Sequence, residues 1–384
     1  MNALPQRAST VIVGGGIQGL MLAFCLAERG SRDTVVLDAG YWQGGASGRN
    51  GTMVRGGFAS TEWTRFFGRS LELWIGLSRR LGENVMFTRR GYAILAESDA
   101  MDGLLDTMTA THRQCGLQSR RLAASQIVDV LPHADHARIR GALYFDHGGI
   151  APHHAVMKGL RKACTDRGVK LFYGTPVTGF ETSNGRLAGV LCGEHRIAAD
   201  ATVICCGAQN TRVAALAGLE LNGEAHRIEA MATEPMRPVI GPGIALPERF
   251  TYLHQTARGE IVGGSETPGE TPRESLANTV PIMAAFARHL VEMFPCLGDL
   301  RILRHWTGML HVTDDHAPMM GPHPDIADLW ISGGWMYGIA GAPAAGDMLA
   351  QAIVSGVTDD RMAPFAVDRF RRGALITEGS TVNV

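Results

Sequence analysis

The apolar positions of this chain change period at its start. Thr10-Val11-Ile12-Val13 is an unbroken apolar run of the kind carried by a strand buried on both faces, and it meets Gly14-Gly15-Gly16-Ile17-Gln18-Gly19. An apolar segment of helical length then leads to Arg29, and a second apolar run, Thr34 to Leu37, ends in Asp38. The pattern predicts strand, helix, strand. Further on, Glu62 to Leu81 carries Phe66, Phe67, Leu71, Leu73, Trp74 and Leu77 and predicts a helix. Strands are expected at Tyr92 to Ala96 and Ala142 to Asp146, with a helix at Ala100 to Cys115 between them. A long helix should start after the Gly148-Gly149-Ile150-Ala151-Pro152 turn and end near Gly168.

Leu171 to Tyr173, Val177 to Thr182, Ala188 to Cys192 and Ala201 to Cys206 alternate as strands, with a tight turn at Asn184-Gly185. The last of them runs into Gly207-Ala208 and is expected to rejoin the opening sheet. From about Glu224 to Trp306 the pattern is strand-rich, with an edge-like segment at Phe250 to Gln255, a strand at Glu260 to Gly264 and one helix at Val280 to Met293. Glycine-rich turns follow, and a small-residue helix, Pro343 to Ser355, closes the pattern. The fold class is α/β: a Rossmann-type nucleotide domain interleaved with a β-rich α+β substrate (cap) domain. The nucleotide domain is expected to be discontinuous, over 1–85, 148–222 and 305–384, with the cap over 86–147 and 223–304. The sequence shows no internal repeat.

Composition narrows the function classes. With 384 residues, 45% hydrophobic and 19% charged, the chain is ordinary for a soluble globular protein of two domains, and a formal net charge of −1 provides no basic field for nucleic acid or anionic lipid. The first ten residues are too polar for a secretory leader, and no apolar run approaches the ~20 residues of a membrane span, so a cytoplasmic location is expected. The seven cysteines are odd in number and lack C-x-x-C spacing, which suits reduced thiols rather than disulfides or zinc. His153-His154 is a poor chelate, because neighbours on a helix point about 100° apart. No metal site is expected.

The first turn carries the chemistry. In G-x-G-x-x-G, Gly14 permits the tight turn, Gly16 lets a pyrophosphate approach the backbone, and Gly19 lets helix and strand pack closely. The helix N-terminus offers free N–H groups to phosphate, and Asp38, 19 residues past Gly19, can accept from a ribose diol while disfavouring a 2′-phosphate. After it, the loop Gly44 to Gly57 combines glycines with polar Ser47, Arg49, Asn50 and Thr52, as a ligand-wrapping segment would.

Taken in order, four segments resemble one known family: the Gly14–Gly19 unit, the Gly44–Arg55 loop, the Gly149–His154 segment, and Gly333–Gly346 followed by Ala363–Phe370. They are similar to the FAD-dependent amine oxidoreductases that include sarcosine oxidase, glycine oxidase and D-amino acid oxidase, and most of all to the β subunit of heterotetrameric sarcosine oxidase. The resemblance runs from Val11 to about Leu375. It implies FAD with Gly14, Gly16, Ile17, Gln18 and Gly19 at the pyrophosphate and Asp38 at the ribose. Ser47, Arg49, Asn50, Gly51 and Thr52 would lie along the phosphates and flavin, and Val177 would meet the adenine through its backbone. Gly207, Gly308, Gly334, Trp335, Tyr337, Gly338 and Ile339 would approach the flavin. Some relatives attach the cofactor through a cysteine just before a turn that here reads Thr313 to Pro318, and since no cysteine follows Cys296, FAD is expected to be noncovalent.

His153 matches a position that in the heterotetrameric relatives carries FMN at the contact with a larger partner subunit. A helix-start histidine bonded to the chain and a noncovalent FMN are the alternatives. Arg55 matches the carboxylate clamp, the alternative being an arginine bonded to cofactor phosphate or to the chain. The chain departs from the family at Ala340 and within Arg258–Glu266, where relatives have lysines; its three lysines are Lys158, Lys162 and Lys170. These departures point to a secondary or N-alkyl amino acid bulkier than sarcosine, met by Tyr337, His254, Glu266 or Met336. They also point to a dehydrogenase that passes electrons to FMN or another carrier. The expected activity is hydride transfer to flavin, giving an imine. The alternatives are a D-amino acid or glycine oxidase acting alone, an FAD subunit inactive without its partner, and a non-redox nucleotide-binding module.

Overall fold

The computed structural model describes residues 3–266 and 274–380, and its first βαβ unit forms where the apolar runs stand. β1 (Arg7–Val13) leads to α1 (Ile17–Glu28) and β2 (Thr34–Asp38), with β1 and β2 parallel from Thr10↔Thr34 to Val13↔Leu37. Alternate side chains feed two layers. Ile12 and Val36 pack with Leu20 and Phe24 of α1, while Val11, Val13, Val35 and Leu37 join Val190 and Ile197 on the opposite face. Burial on both faces is why these runs are continuous rather than alternating.

The chain continues through β3 (Met53–Val54), α2 (Thr61–Leu81), β4 (Tyr92–Ala96), α3 (Asp99–Gln114), β5 (Arg120–Ala123), β6 (Gly141–Phe145), β7 (Gly149–Ile150) and α4 (His153–Asp166). Then come β8 (Lys170–Tyr173), β9 (Gly179–Ser183), β10 (Arg186–Cys192), β11 (His195–Ile204) and the short α5 (Asn210–Ala215). The last part holds β12 (Glu224–Thr233), β13 (Gly243–Leu246), β14 (Thr251–Gln255), β15 (Ile261–Ser265), α6 (Val280–Met293), β16 (Ile302–Val312), β17 (Met319–Pro322), β18 (Leu329–Gly333) and α7 (Gly338–Ser355). One sheet runs β17-β18-β11-β1-β2-β8, with β10 and β9 continuing from β11. A second runs β16-β12-β15-β14-β13-β4-β6-β5, and β3 pairs with β7 in a small antiparallel sheet of their own. β11 rejoins β1 in parallel, from Thr10↔Ala201 to Val13↔Ile204, so two neighbouring strand ends deliver Gly14 and Gly207 to one rim. The expected cut at 304/305 falls inside β16, which pairs with β12 from Glu224↔Val312 to Thr233↔Ile302.

Three expectations are corrected. Phe250–Gln255 is not an edge: β14 is bonded on both sides, to β13 and β15. Its polar residues are buried but satisfied, the Gln255 amide oxygen accepting from the Val239 and Ile240 N–H groups at 2.7 and 3.1 Å and the Thr251 hydroxyl bonding Ser265 and His289. Polarity therefore marked a hydrogen-bonded interior rather than a solvated edge. The strand expected from Val177 begins at Gly179, leaving Val177 in the preceding loop. Finally, α7 starts at Gly338, with Pro343 inside it. There the missing proline N–H frees only the Ile339 carbonyl, close to the helix start.

α7 can lie against α1 and α2 because it is built of small residues. A Cβ on Gly346 would stand 2.7 Å from Met21 Cγ, and the Ala340 carbonyl accepts from Ser70 Oγ at 2.5 Å and Trp74 Nε1 at 3.1 Å. No helix among the described residues is long and apolar enough to cross a membrane.

Candidate functional site

A cavity lies where the rim of the first sheet faces the second sheet. At one end the β1–α1 turn is fixed by close approach. Gly14 has φ +116°, and a Cβ there would stand 2.3 Å from the Cys205 carbonyl oxygen; on Gly19 it would stand 1.9 Å from the Gly14 carbonyl oxygen. No side chain fits at either position. Gly14, Gly16, Ile17 and Gln18 line the cavity, while Gly19 sits beneath the turn and holds α1 against it. The Asp38 carboxylate closes this end, accepting from the Gly15 N–H at 2.7 Å and the Gly40 N–H at 2.8 Å.

The following loop forms a side wall. Ser47 Oγ accepts from the Ile17 N–H at 2.9 Å, so the hydroxyl stands at the α1 N-terminus with its own hydrogen left to donate. Asn50 shapes the loop through its amide, donating to the Ser47 carbonyl and accepting from the Thr52 N–H, both at 2.8 Å. Arg49 donates to the Gly44 carbonyl and to the Tyr41 hydroxyl, and its carbonyl accepts from Trp306 Nε1 at 2.8 Å. Ser47, Arg49, Asn50, Gly51 and Thr52 all line the cavity.

The far end is aromatic. Tyr92, Tyr252 and Tyr337 line it with Glu266, Trp335, Met336, Gly338 and Ile339, and Gly207 and Gly308 also line the cavity. A second helix N-terminus opens here, because α7 begins at Gly338 and Gln18 Nε2 donates to the Gly338 carbonyl at 2.8 Å. Two positive helix ends thus face one space. Burial, and then the Glu266 carboxylate, push the Tyr252 hydroxyl well above its ordinary range, and burial raises Tyr92 against the opposing Arg55 charge. Both stay protonated at neutral pH.

Six expected residues lie outside the cavity lining: Gly19, Val177, Gly334, His153, His254 and Arg55. Val177 is held back in the loop before β9. Gly334 turns its N–H to His311 Nδ1, at 3.0 Å, rather than to the cavity. His254 is buried behind the loop, its Nε2 3.0 Å from Thr52 Oγ1 and 3.2 Å from the Gly51 carbonyl, and burial lowers its pKa to about 4, so it props the loop as a neutral group. His153 opens α4 with its Nδ1 buried and unpartnered; burial, then the neighbouring His154, lowers its pKa. Arg55 is 2% exposed, one layer behind the wall. Its guanidinium carbon stands 4.0 Å from the Phe58 ring centre, 5.2 Å from that of Tyr337 and 5.5 Å from that of Tyr92.

Arg55 Nη2 donates to the Ser380 carbonyl at 3.0 Å, while Nε and Nη1 are buried without a partner. Buried donors left unmade cost about 1–3 kcal/mol each, so this group is poised for an anionic acceptor.

Sequence reasoning missed Tyr92, Tyr252 and His311. Tyr252 stands two residues from the chosen His254 on the same strand face, which is the signal that could have found it. His311 lines the cavity from β16, its Nδ1 accepting from the Gly334 N–H and its Nε2–H donating to the Asn222 carbonyl at 3.0 Å. Burial holds its pKa down at about 4.

Residues 9–352 match the family described as FAD dependent oxidoreductase (DAO). The chain belongs to that family. It is 30% identical over 386 residues to sarcosine oxidase subunit beta of Rhodobacter capsulatus, covering 99% of this chain and 92% of that one. It is 31% identical to the same subunit of Rhizobium meliloti, covering 96% and 89%. Among solved structures, L-proline dehydrogenase from P. horikoshii superposes with a TM-score of 0.92 at 27% identity over 97% of this chain and 100% of that one. Glycine oxidase from Geobacillus kaustophilus shares the fold, with a TM-score of 0.86 at 22% identity. The protein is an FAD-dependent oxidoreductase, and its relatives act on amino acids and amines.

The cavity fits FAD. The α1 N-terminus and the Ser47 hydroxyl suit the diphosphate, Asp38 suits a ribose diol, and the α7 N-terminus would favour the negative charge that a flavin ring takes up on reduction.

Proposed function

We propose that the chain oxidises a secondary or N-alkyl amino acid, of the sarcosine, proline, hydroxyproline or opine type, to an imine. The observation that carries this reading is one cavity joining a dinucleotide cradle at Gly14–Ile17 to a tyrosine wall backed by the Arg55 guanidinium, of whose three nitrogens only Nη2 has a partner. FAD, when bound, supplies the two-electron acceptor for the hydride equivalent leaving the carbon beside nitrogen. The chain itself binds and orients. Arg55 offers a two-pronged edge to the substrate carboxylate between Tyr92 and Tyr337. Tyr252, kept protonated, donates a hydrogen bond beside Glu266, where the substrate amine would sit, and the aromatic wall excludes water from the reacting carbon.

None of the cavity-lining residues is a lysine. Lys162 pairs with Asp166 at 2.6 Å and Lys170 with Asp33 at 3.8 Å. This supports an electron acceptor other than oxygen. Likeness to sarcosine oxidase beta subunits over nearly their full length supports a larger partner subunit, and the buried, unpartnered Nδ1 of His153 supports FMN held there. FAD is noncovalent in this reading, since no cysteine follows Cys296.

The test is anaerobic mixing of the flavin-loaded protein with N-alkyl, cyclic and D-amino acids while the flavin absorbance is followed. Bleaching by a cyclic or N-alkyl L-amino acid is expected. Bleaching by D-amino acids or glycine alone would replace this reading with that of a stand-alone oxidase, and no bleaching, with or without a partner subunit, would sink both.

A further inference from the structure

The C-terminal segment returns to the site. The Ile376 N–H donates to Asp315 Oδ2 at 3.1 Å, and Ile376 and Ser380 are buried. Between them the Glu378 carboxylate accepts from the Ala59 N–H, the Ser60 N–H and the Ser60 hydroxyl, each at 2.8 Å, and from the Ser380 N–H at 2.9 Å. Ala59 and Ser60 directly follow Phe58, whose ring lies under Arg55. One acidic side chain therefore locks the strap, the ring and the start of α2 into one piece, and it sets the Ser380 carbonyl against Arg55 Nη2.

We infer that this strap, Ile376 to Ser380, is part of the substrate clamp, with Glu378 and Ser380 as positioning residues for Arg55; the inference rests on the amino-acid oxidation proposed above. Nη2 carries two hydrogens and shares one edge of the guanidinium with Nε and the other with Nη1. Ser380 takes one hydrogen, so one complete two-pronged edge remains for a carboxylate while the guanidinium is kept from rotating. Without the strap Arg55 keeps its charge and its aromatic neighbours but loses its fixed direction. Carboxylate recognition would weaken more than turnover.

The experiment compares the flavin-loaded wild type, Glu378→Gln, and a chain ending at Glu378, which keeps the Ala59 and Ser60 contacts but lacks the Ser380 carbonyl. Each is titrated, through the flavin absorbance, with pyrrole-2-carboxylate and with its carboxamide; these flat rings have no hydride to give. Both variants should bind the carboxylate about tenfold more weakly, the loss of roughly one hydrogen bond, with the carboxamide unchanged. With a reacting amino acid, KM should rise while kcat stays within about threefold. Equal carboxylate affinity in all three proteins would overturn the role of the strap and leave the proposed function standing. A wild type that binds acid and amide alike, and is reduced by no amino acid, would overturn both.

Discussion

Arg369→Met tests whether the segment from Arg369 to Ile376 is held by one buried ion pair. Arg369 is fully buried and Asp315 nearly so, and they meet two-pronged, Nε to Oδ2 at 2.8 Å and Nη2 to Oδ1 at 2.7 Å. Arg369 also donates to the Ala317 carbonyl at 2.9 Å. Asp315 keeps neutral donors after the substitution: the Ala317 and Ile376 N–H groups, each at 3.1 Å, and the Thr313 hydroxyl at 3.1 Å, whose one hydrogen is shared with the Ala317 carbonyl at 2.7 Å. Removing one partner of a buried pair costs about 3–5 kcal/mol, and the remaining backbone donors place this case toward the lower end of that range. Adding Asp315→Asn removes the stranded charge but turns an amide NH2 toward either the Ala317 or the Ile376 N–H, so it should recover little of that loss.

The acid dependence supplies a second signature. Burial alone would raise the Asp315 pKa, but the Arg369 hydrogen bonds and charge outweigh it and hold the pKa below its ordinary value. The pair therefore contributes stability above the unfolded carboxylate pKa and loses it as pH falls through the folded one. That part of the acid dependence should disappear in Arg369→Met. Urea midpoints from tryptophan emission, at neutral pH and through the acid range, provide both readouts. A single substitution costing under about 1 kcal/mol would refute the ion-pair argument.

Other outcomes follow from the site. Gly19→Ala puts a Cβ 1.9 Å from the Gly14 carbonyl oxygen and should yield folded protein with FAD affinity reduced at least about tenfold, read by flavin content after gel filtration. Arg55→Met should lower kcat/KM for a carboxylated substrate by about a hundredfold or more and leave the matching amine without a carboxylate unaffected, proline against pyrrolidine being the comparison. His112, His254 and His311 are buried with pKa values lowered to about 4, against an ordinary 6.5. The unfolded chain takes up these protons first, so stability should fall as pH drops from about 6.5 toward 4, with a shallower slope in His311→Gln. Turnover under air should be slower than with an artificial dye acceptor; equal rates would end the dehydrogenase reading.

What could be read from the sequence was local. The β1–α1 turn was legible because its glycines answer to clashes within a few residues or on the adjoining strand. Helix α6 was legible over Val280–Met293, since Pro281 favours a helix start and Pro295 forbids its continuation. Arg55 was found by pattern, but its setting was not, because its hydrogen-bond partner lies 325 residues away. His254 and Tyr252 share a strand face, and only packing decides that the tyrosine lines the cavity while the histidine props the loop. Buried polar residues on β14 imitated an edge because sequence shows polarity and not its hydrogen-bond partners.

Gln18 reaches across 320 residues to the Gly338 carbonyl, and that contact bears on biosynthesis. While the ribosome is still producing the middle of the protein, the early glycine turn can fold, yet its opposite wall does not exist. Vitamin capture must wait until α7 has been made, so a message cut short before α7 should produce a colourless polypeptide however well its opening βαβ unit folds.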